Sequence, residues 1–81
     1  MGDEVQSMRP MVIAALEYHG GTATMIEVAE FIWANNEEDL RRSGDLFFRW
    51  QYVMRWSATT LRKEGVMLDA ADCERGTWAL A

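Results

Sequence analysis

Apolar side chains recur at the three- and four-residue spacing of an α-helix in three separate segments of this chain. The first segment is expected to begin with Ser7 as its N-cap and with Pro10 near its start, where the missing N–H is not needed. Gly20 and Gly21 are expected to end it. Its apolar stripe consists of Met8, Met11, Val12, Ala15 and Leu16. Residues 1–7 are then predicted to form a flexible lead-in.

Thr24 and Glu27 have the spacing of a capping box and predict the start of a second helix. Residues 21–23, just before it, are too few for more than a turn or one bridge of strand. The stripe of the second helix consists of Met25, Val28, Ala29, Ile32 and Trp33. We expect this helix to end near Asn35-Asn36 and residues 36–44 to form a polar loop, with room for a helical turn around 37–41.

The third predicted helix is the longest of the three. It runs from Asp45, a good N-cap, to Glu64, and Gly65 follows in the position that commonly ends helices. Two short strands are predicted after it, 66–68 and 77–80. A polar turn joins these strands into an antiparallel hairpin.

The order of three helices and a hairpin predicts a winged helix-turn-helix over residues 8–81, mainly α-helical with the two-stranded hairpin as its C-terminal wing. A chain of 81 residues has room for one such core, and 49% hydrophobic residues is a globular composition. The longest apolar run, 11–16, is far shorter than the roughly 20 residues that span a bilayer. Since the N-terminus is acidic where a secretion leader is basic, the chain is expected in the cytoplasm, away from membranes.

Charge is distributed unevenly along the chain. The total is −5, but residues 40–63 carry six basic side chains against Asp45 alone, a local balance of +5. The rest of the chain carries only Arg9 and Arg75 against twelve acids. Such asymmetry indicates either a basic surface on an acidic body or a helix whose arginines are merely solvated.

The third helix separates into two faces when residues are placed at intervals of about 100°. The face expected to meet the core consists of Leu46, Phe47, Trp50, Val53, Met54, Ser57, Ala58 and Leu61. The polar face consists of Phe48, Gln51, Tyr52, Arg55, Thr59, Arg62 and Lys63, with Arg49 and Trp56 at its border. Phe48 does not fit a polar face, and we expect the 36–44 loop or a partner to cover it.

A face of Arg, Gln, Thr and Lys suits the DNA major groove, because Arg can pair with guanine, Gln with adenine and Lys with phosphate. The side chains predicted to face bases are Gln51, Arg55, Thr59 and Arg62. Those predicted to contact or attract phosphates are Arg41, Arg42, Arg49, Lys63 and, in the wing, Arg75. The alternative is that this is only the solvated side of an amphipathic helix.

Three stretches, 55–57, 61–67 and 75–80, read Arg-Trp-Ser, Leu-Arg-Lys-Glu-Gly-Val-Met and Arg-Gly-Thr-Trp-Ala-Leu. In this order and spacing they resemble the N-terminal domain of Mrr-type restriction endonucleases, over about residues 49–81. The resemblance implies a winged helix that binds DNA, and the corresponding helix positions are Arg55, Thr59, Arg62 and Lys63. It does not imply cleavage, because that family carries its nuclease in a separate, later domain, and no nuclease is expected here.

No grouping of side chains meets the requirements of catalysis, so an enzyme is not expected. The carboxylates at 37–39 are interpreted as solvated, and His19 as a cation at a helix end. Because Cys73 is the only cysteine, neither an internal disulfide nor a zinc site is expected, and no cofactor is predicted.

Two functions from different classes are therefore predicted. The first is a non-enzymatic module that binds double-stranded DNA, as in a small transcriptional regulator. It is expected to act as a homodimer, because one small domain reads few base pairs. The second is a protein-interaction module that uses Phe48, Tyr52 and the acidic wing on the same scaffold.

Overall fold

The computed structural model describes residues 2–81 as three α-helices and a two-stranded antiparallel sheet. The helices are α1 (Gly2–Tyr18), α2 (Met25–Arg41) and α3 (Trp50–Lys63), and the strands are β1 (Thr22–Thr24) and β2 (Thr77–Ala79). Two short 3₁₀ helices, Gly44–Phe48 and Ala70–Asp72, precede α3 and β2. The prediction of a mainly helical chain with a small antiparallel sheet is confirmed. Among the described helices, none has the length and apolar character needed to cross a membrane.

The first helix begins at Gly2 rather than after Ser7. The first turns are helical because Val5 extends the apolar stripe and is buried in the core, which the prediction missed. The backbone carbonyl oxygen of Val5 also accepts a hydrogen bond from Ser57 Oγ at 2.8 Å. The predicted lead-in is therefore helical from Gly2 onward, and Met1 lies outside the described residues. Pro10 lies inside the helix, not near its start.

The capping box at the start of α2 is confirmed. The N–H of Glu27 donates to Thr24 Oγ1 at 3.1 Å, and the N–H of Thr24 donates to Glu27 Oε1 at 2.8 Å. The backbone hydrogen bond to the carboxylate lowers the pKa of Glu27 below its ordinary value. Two orphan N–H groups of the first turn are thereby satisfied.

The end of α2 was predicted too early, because the helix continues to Arg41 and includes the first six residues of the expected 36–44 loop. Asn35 and Asn36, taken as ending residues, instead donate their side-chain N–H groups to the carbonyl oxygens four residues earlier, at 2.8 and 3.0 Å. Leu40 is buried in the core and holds the last turn against it. Two Glu–Arg pairs on the outer side of this last segment also favour the helix.

The third helix begins later than predicted and ends as predicted. Asp45, expected as an N-cap, lies inside a 3₁₀ helix that begins at Gly44, whose φ is +65°. Leu46 packs partly against the core from this tighter segment, and α3 starts only at Trp50. At the other end Gly65 has a φ of +77°, the left-handed conformation that ends helices.

The pairing of the strands differs from the predicted hairpin, because β2 pairs with β1 and not with residues 66–68. The pairs are Thr22 with Ala79, Ala23 with Trp78, and Thr24 with Thr77. Buried Ala23 and its flanking β-branched threonines make an extended segment that sequence reading judged too short. The 66–68 segment keeps one bridge, between Met67 and Leu80, and a hydrogen bond from Leu68 N–H to Ala79 O at 3.0 Å.

The core lies between the three helices and is closed by Trp78 of β2. The predicted inner face of α3 is confirmed, since its buried residues are Trp50, Val53, Met54, Ser57, Ala58 and Leu61. Leu46 and Phe47, which precede α3, are partly buried. The opposite face of α3 is therefore turned to solvent.

Candidate nucleic-acid interface

The outer face of α3 brings together the helix side chains predicted to contact DNA. Gln51, Arg55 and Lys63 are exposed on it, and Thr59 and Arg62 are half-buried. They share one side of the helix because they are spaced close to whole numbers of turns. The other predicted contacts lie off this helix: Arg41 at the end of α2, Arg42 and Arg49 in the segments before α3, and Arg75 before β2.

Three of the predicted phosphate contacts are already paired with carboxylates. Arg41 Nε lies 2.8 Å from Glu37 Oε2, and Arg42 Nη2 lies 2.5 Å from Glu38 Oε1, both four residues apart on the helix. Arg49 Nη2 lies 2.9 Å from Glu4 Oε2 of α1. These exposed pairs are weak and can exchange with solvent ions, but they reduce the positive charge that the three arginines present.

Arg41 has a second set of contacts that further ties it to the protein. Its guanidinium carbon lies 5.1 Å from the centroid of the Trp33 ring and 5.7 Å from that of Phe47. Stacking on two rings orients the planar group along the surface of α2. Arg41 is therefore held by two aromatic rings as well as by a carboxylate.

Four other cations have no carboxylate within 4.0 Å anywhere in residues 2–81: Arg55, Arg62, Lys63 and Arg75. Arg55 and Lys63 project from the outer face of α3, where Thr59 lies between them and donates its Oγ1–H to Arg55 O at 3.2 Å. The surplus positive charge of the 40–63 segment is thus concentrated on α3 and beside it. Such unpaired, exposed cations are the groups that polyanions attract.

Gln51 lies at the other edge of this face, next to α2. It lines an open cleft of about 440 Å³ between the two helices, together with Glu30 and the rings of Trp33, Phe47 and Trp50. Because the Gln51 side chain is exposed, its amide can both donate and accept a hydrogen bond from outside the protein.

A row of aromatic rings that begins just before α3 and continues along it was not recognised as a unit from the sequence. Phe48, Tyr52 and Trp56 are 83%, 47% and 42% exposed, and the rings of Tyr52 and Trp56 meet edge to face with centroids 6.3 Å apart. The spacing of four residues was the signal that could have revealed the row. Of the two predicted covers for Phe48, the 36–44 loop is wrong, because residues 36–41 are helical and the ring is open to solvent; cover by a partner stays a prediction.

The acidic, histidine and cysteine side chains were also searched for a metal site. Within residues 2–81 no group of three or more His, Cys, Asp or Glu side chains is placed to hold a metal ion. Glu37 and Glu38, interpreted as solvated loop carboxylates, are helical and paired with arginines.

Comparison of the chain with protein-family models, curated protein sequences and solved structures finds no match.

Proposed function

We propose that this chain is a non-enzymatic module that binds double-stranded DNA in the cytoplasm, as a small transcriptional regulator does, with α3 in the major groove. The observation that carries the proposal is the separation of the cations. Arg55 and Lys63 stand unpaired on the outer face of α3, whereas Arg41, Arg42 and Arg49 are paired with carboxylates. A helix presenting free cations and an amide to solvent is suited to both phosphates and base edges.

The arrangement of elements supports a winged helix-turn-helix. Three helices are followed by a short extended segment, 66–68, and by β2, and the two are joined by one bridge and a hydrogen bond. The 69–76 segment between them lies next to the end of α3, where the proposed fold would have its wing. The resemblance of the 49–81 sequence to the Mrr-type N-terminal domain stays a prediction that agrees with this arrangement.

The dimensions of α3 suit the groove. Its 14 residues make a rod about 21 Å long, and the major groove, about 12 Å wide, admits one helix. In this placement Arg55 pairs with guanine and Gln51 with adenine, while Lys63 and Arg75 meet phosphates. One helix of this length reads few base pairs, so a homodimer on a two-fold site would provide useful specificity.

Fluorescence anisotropy with a labelled duplex of about 30 base pairs tests this proposal, at about 50 and about 200 mM salt. We expect micromolar affinity at the lower salt and a steep loss at the higher, by about 0.9 log units per log unit of salt for each phosphate neutralised. Arg55→Ala should weaken binding about fivefold to a hundredfold, as expected for a lost base contact. The matched control is Arg41→Ala, which removes the same charge from a stacked, paired position; equal losses in both variants would contradict the assignment.

A second candidate function is a protein-interaction module, and the aromatic row of Phe48, Tyr52 and Trp56 favours it. Exposed aromatic side chains are enriched at the energetic centres of protein interfaces. The acidic remainder of the chain would also repel DNA and leave proteins as partners. An aromatic contact should lose little affinity with salt, so the two-salt comparison distinguishes the candidates.

A further inference from the structure

A notch of about 470 Å³ lies where the last turn of α3 meets the segment before β2. Arg62 forms its helix side. The other side is formed by the 70–76 segment, which carries Arg75, and by Thr77 and Trp78 of β2. Two guanidinium groups thus line one concave surface, and neither has a carboxylate within 4.0 Å in residues 2–81.

Arg62 has a hydrogen-bonding group that the protein leaves unused. Its guanidinium lies over the Trp78 ring, with 5.8 Å between the guanidinium carbon and the ring centroid. Its Nε is buried and has no hydrogen-bond partner in the described chain. Buried polar groups are nearly always paired, so one without a partner calls for a ligand or another explanation.

Arg9 is the other arginine whose buried Nε has no hydrogen-bond partner in the described chain. Its two terminal nitrogens, however, bond to Gln6 and to the carboxylate of Glu64. That guanidinium is neutralised within the fold. Arg62 makes no such bond to any described residue, so neither its charge nor its buried Nε–H is satisfied within residues 2–81.

Arg75 supplies the second positive group. Its side chain is exposed, and it precedes Gly76, whose φ of +79° turns the chain into β2. Glu74 also lines the notch and opposes an anion. Among the residues that line the notch, two guanidiniums stand against one carboxylate, while Asp69 and Asp72 of the same segment do not line it. A guanidinium fork fits the oxygens of a phosphate group better than an ammonium does.

We propose that this notch seats one backbone phosphate of duplex DNA, held by Arg62 and Arg75. The assignment rests on the proposed DNA-binding function and changes the role of Arg62 from a base contact to a phosphate contact. Arg62 follows Arg55 by seven residues on the same helix, about 10 Å along its axis. A phosphate in the notch would therefore fix how far α3 enters the groove and which base edges Arg55 can reach.

Side-chain NMR and variant affinities test the assignment together. The Nε–Hε resonance of Arg62 is followed while a labelled sample of the whole chain is titrated with a short mixed-sequence duplex and, separately, with inorganic phosphate. Arg75→Gln and Arg62→Gln are compared with Arg42→Gln, which removes the same charge from an exposed pair on the far end of α2. Arg62 packs on Trp78, so Arg62→Gln could unfold the chain. Arg75 is exposed, so Arg75→Gln tests the phosphate seat even in that case.

We expect the duplex to shift the Arg62 resonance, and Arg75→Gln to weaken duplex binding about fivefold with a salt slope lower by about 0.9. Arg42→Gln should weaken binding less than Arg75→Gln does, because the Arg42 charge is already paired with Glu38. Glu74→Gln should tighten binding through lost repulsion. If the duplex binds but the Arg62 resonance is still and Arg75→Gln binds like the wild type, the phosphate seat is wrong and the proposed function stands. If the duplex does not bind, the proposed function fails; a saturable shift with inorganic phosphate alone would then assign the notch to a free phosphate ligand instead of DNA.

Discussion

The guanidinium carbon of Arg62 lies 5.8 Å from the centroid of the Trp78 ring, so the last turn of α3 is packed directly on β2. Trp78 is buried, with its ring contributing to the core between the helices. One side chain therefore joins the core to the surface on which the unpaired cations stand. The position of that surface depends on the packing of Trp78.

Trp78→Ala should destabilise the fold by about 3–5 kcal/mol, because it removes a large buried ring and leaves a cavity. Urea unfolding followed by far-ultraviolet circular dichroism measures the change. Trp56→Ala is the matched control, and since its ring is 42% exposed its cost should be below about 1 kcal/mol. Similar losses in the two variants would show that Trp78 does not close the core.

Ser57→Ala should cost about 1 kcal/mol, although Ala is the better helix former. The buried hydroxyl of Ser57 donates to Val5 O at 2.8 Å and so joins α3 to the first turns of α1. Thr60→Ala is the comparison, because the Thr60 hydroxyl bonds only to Trp56 O, one turn earlier in α3. Denaturant unfolding of both variants should show a loss only for Ser57; no loss there would contradict the early start of α1.

Glu27→Gln should make the fold less sensitive to acid. The pKa of Glu27 is lowered by the Thr24 N–H, so ionisation stabilises the folded chain above the unfolded-state pKa of about 4.3. This stabilisation is lost as the pH falls through the folded-state pKa. Melting temperatures at about pH 7 and about pH 3 should therefore differ less in Glu27→Gln than in the wild type. Glu30→Gln, which removes a carboxylate from the same helix outside the capping box, should leave the difference unchanged.

Phe48→Ala should leave stability within about 0.5 kcal/mol of the wild type, because the ring is 83% exposed. Phe47→Ala should cost more, since the neighbouring ring is partly buried with its centroid 6.2 Å from that of Trp33. Thermal unfolding of the two variants checks this difference between adjacent residues. A large loss for Phe48→Ala would mean that the ring is covered in solution, as by a second copy of this chain.

Local patterns in the sequence predicted most of the helical framework. The capping box of Thr24 and Glu27, the helix end at Gly65 and the buried face of α3 depend on neighbours in sequence, so spacing and residue type suffice to find them. The same spacing correctly separates Arg55 and Lys63 from the core side of α3.

The features that were missed depend on contacts distant in sequence or on side chains acting against their usual preference. Asn35 and Asn36 continue α2 because their amides bond back to its carbonyl oxygens. The pairing of β2 with β1 joins segments more than fifty residues apart, which no local pattern specifies. The ion pair between Arg49 and Glu4 also joins distant segments, so the sequence could not predict it. Because of this pair, Arg49 is not one of the unpaired cations.

Backbone amide NMR during titration with duplex DNA tests the central claim most directly. The account predicts that chemical-shift changes concentrate on the outer face of α3, around Arg55 and Lys63, and near Arg75, and that added salt reverses them. The outer surfaces of α1 and α2, where most of the acidic residues lie, should stay unchanged. Changes on those surfaces, or none at all with excess duplex at low salt, would contradict DNA binding through α3.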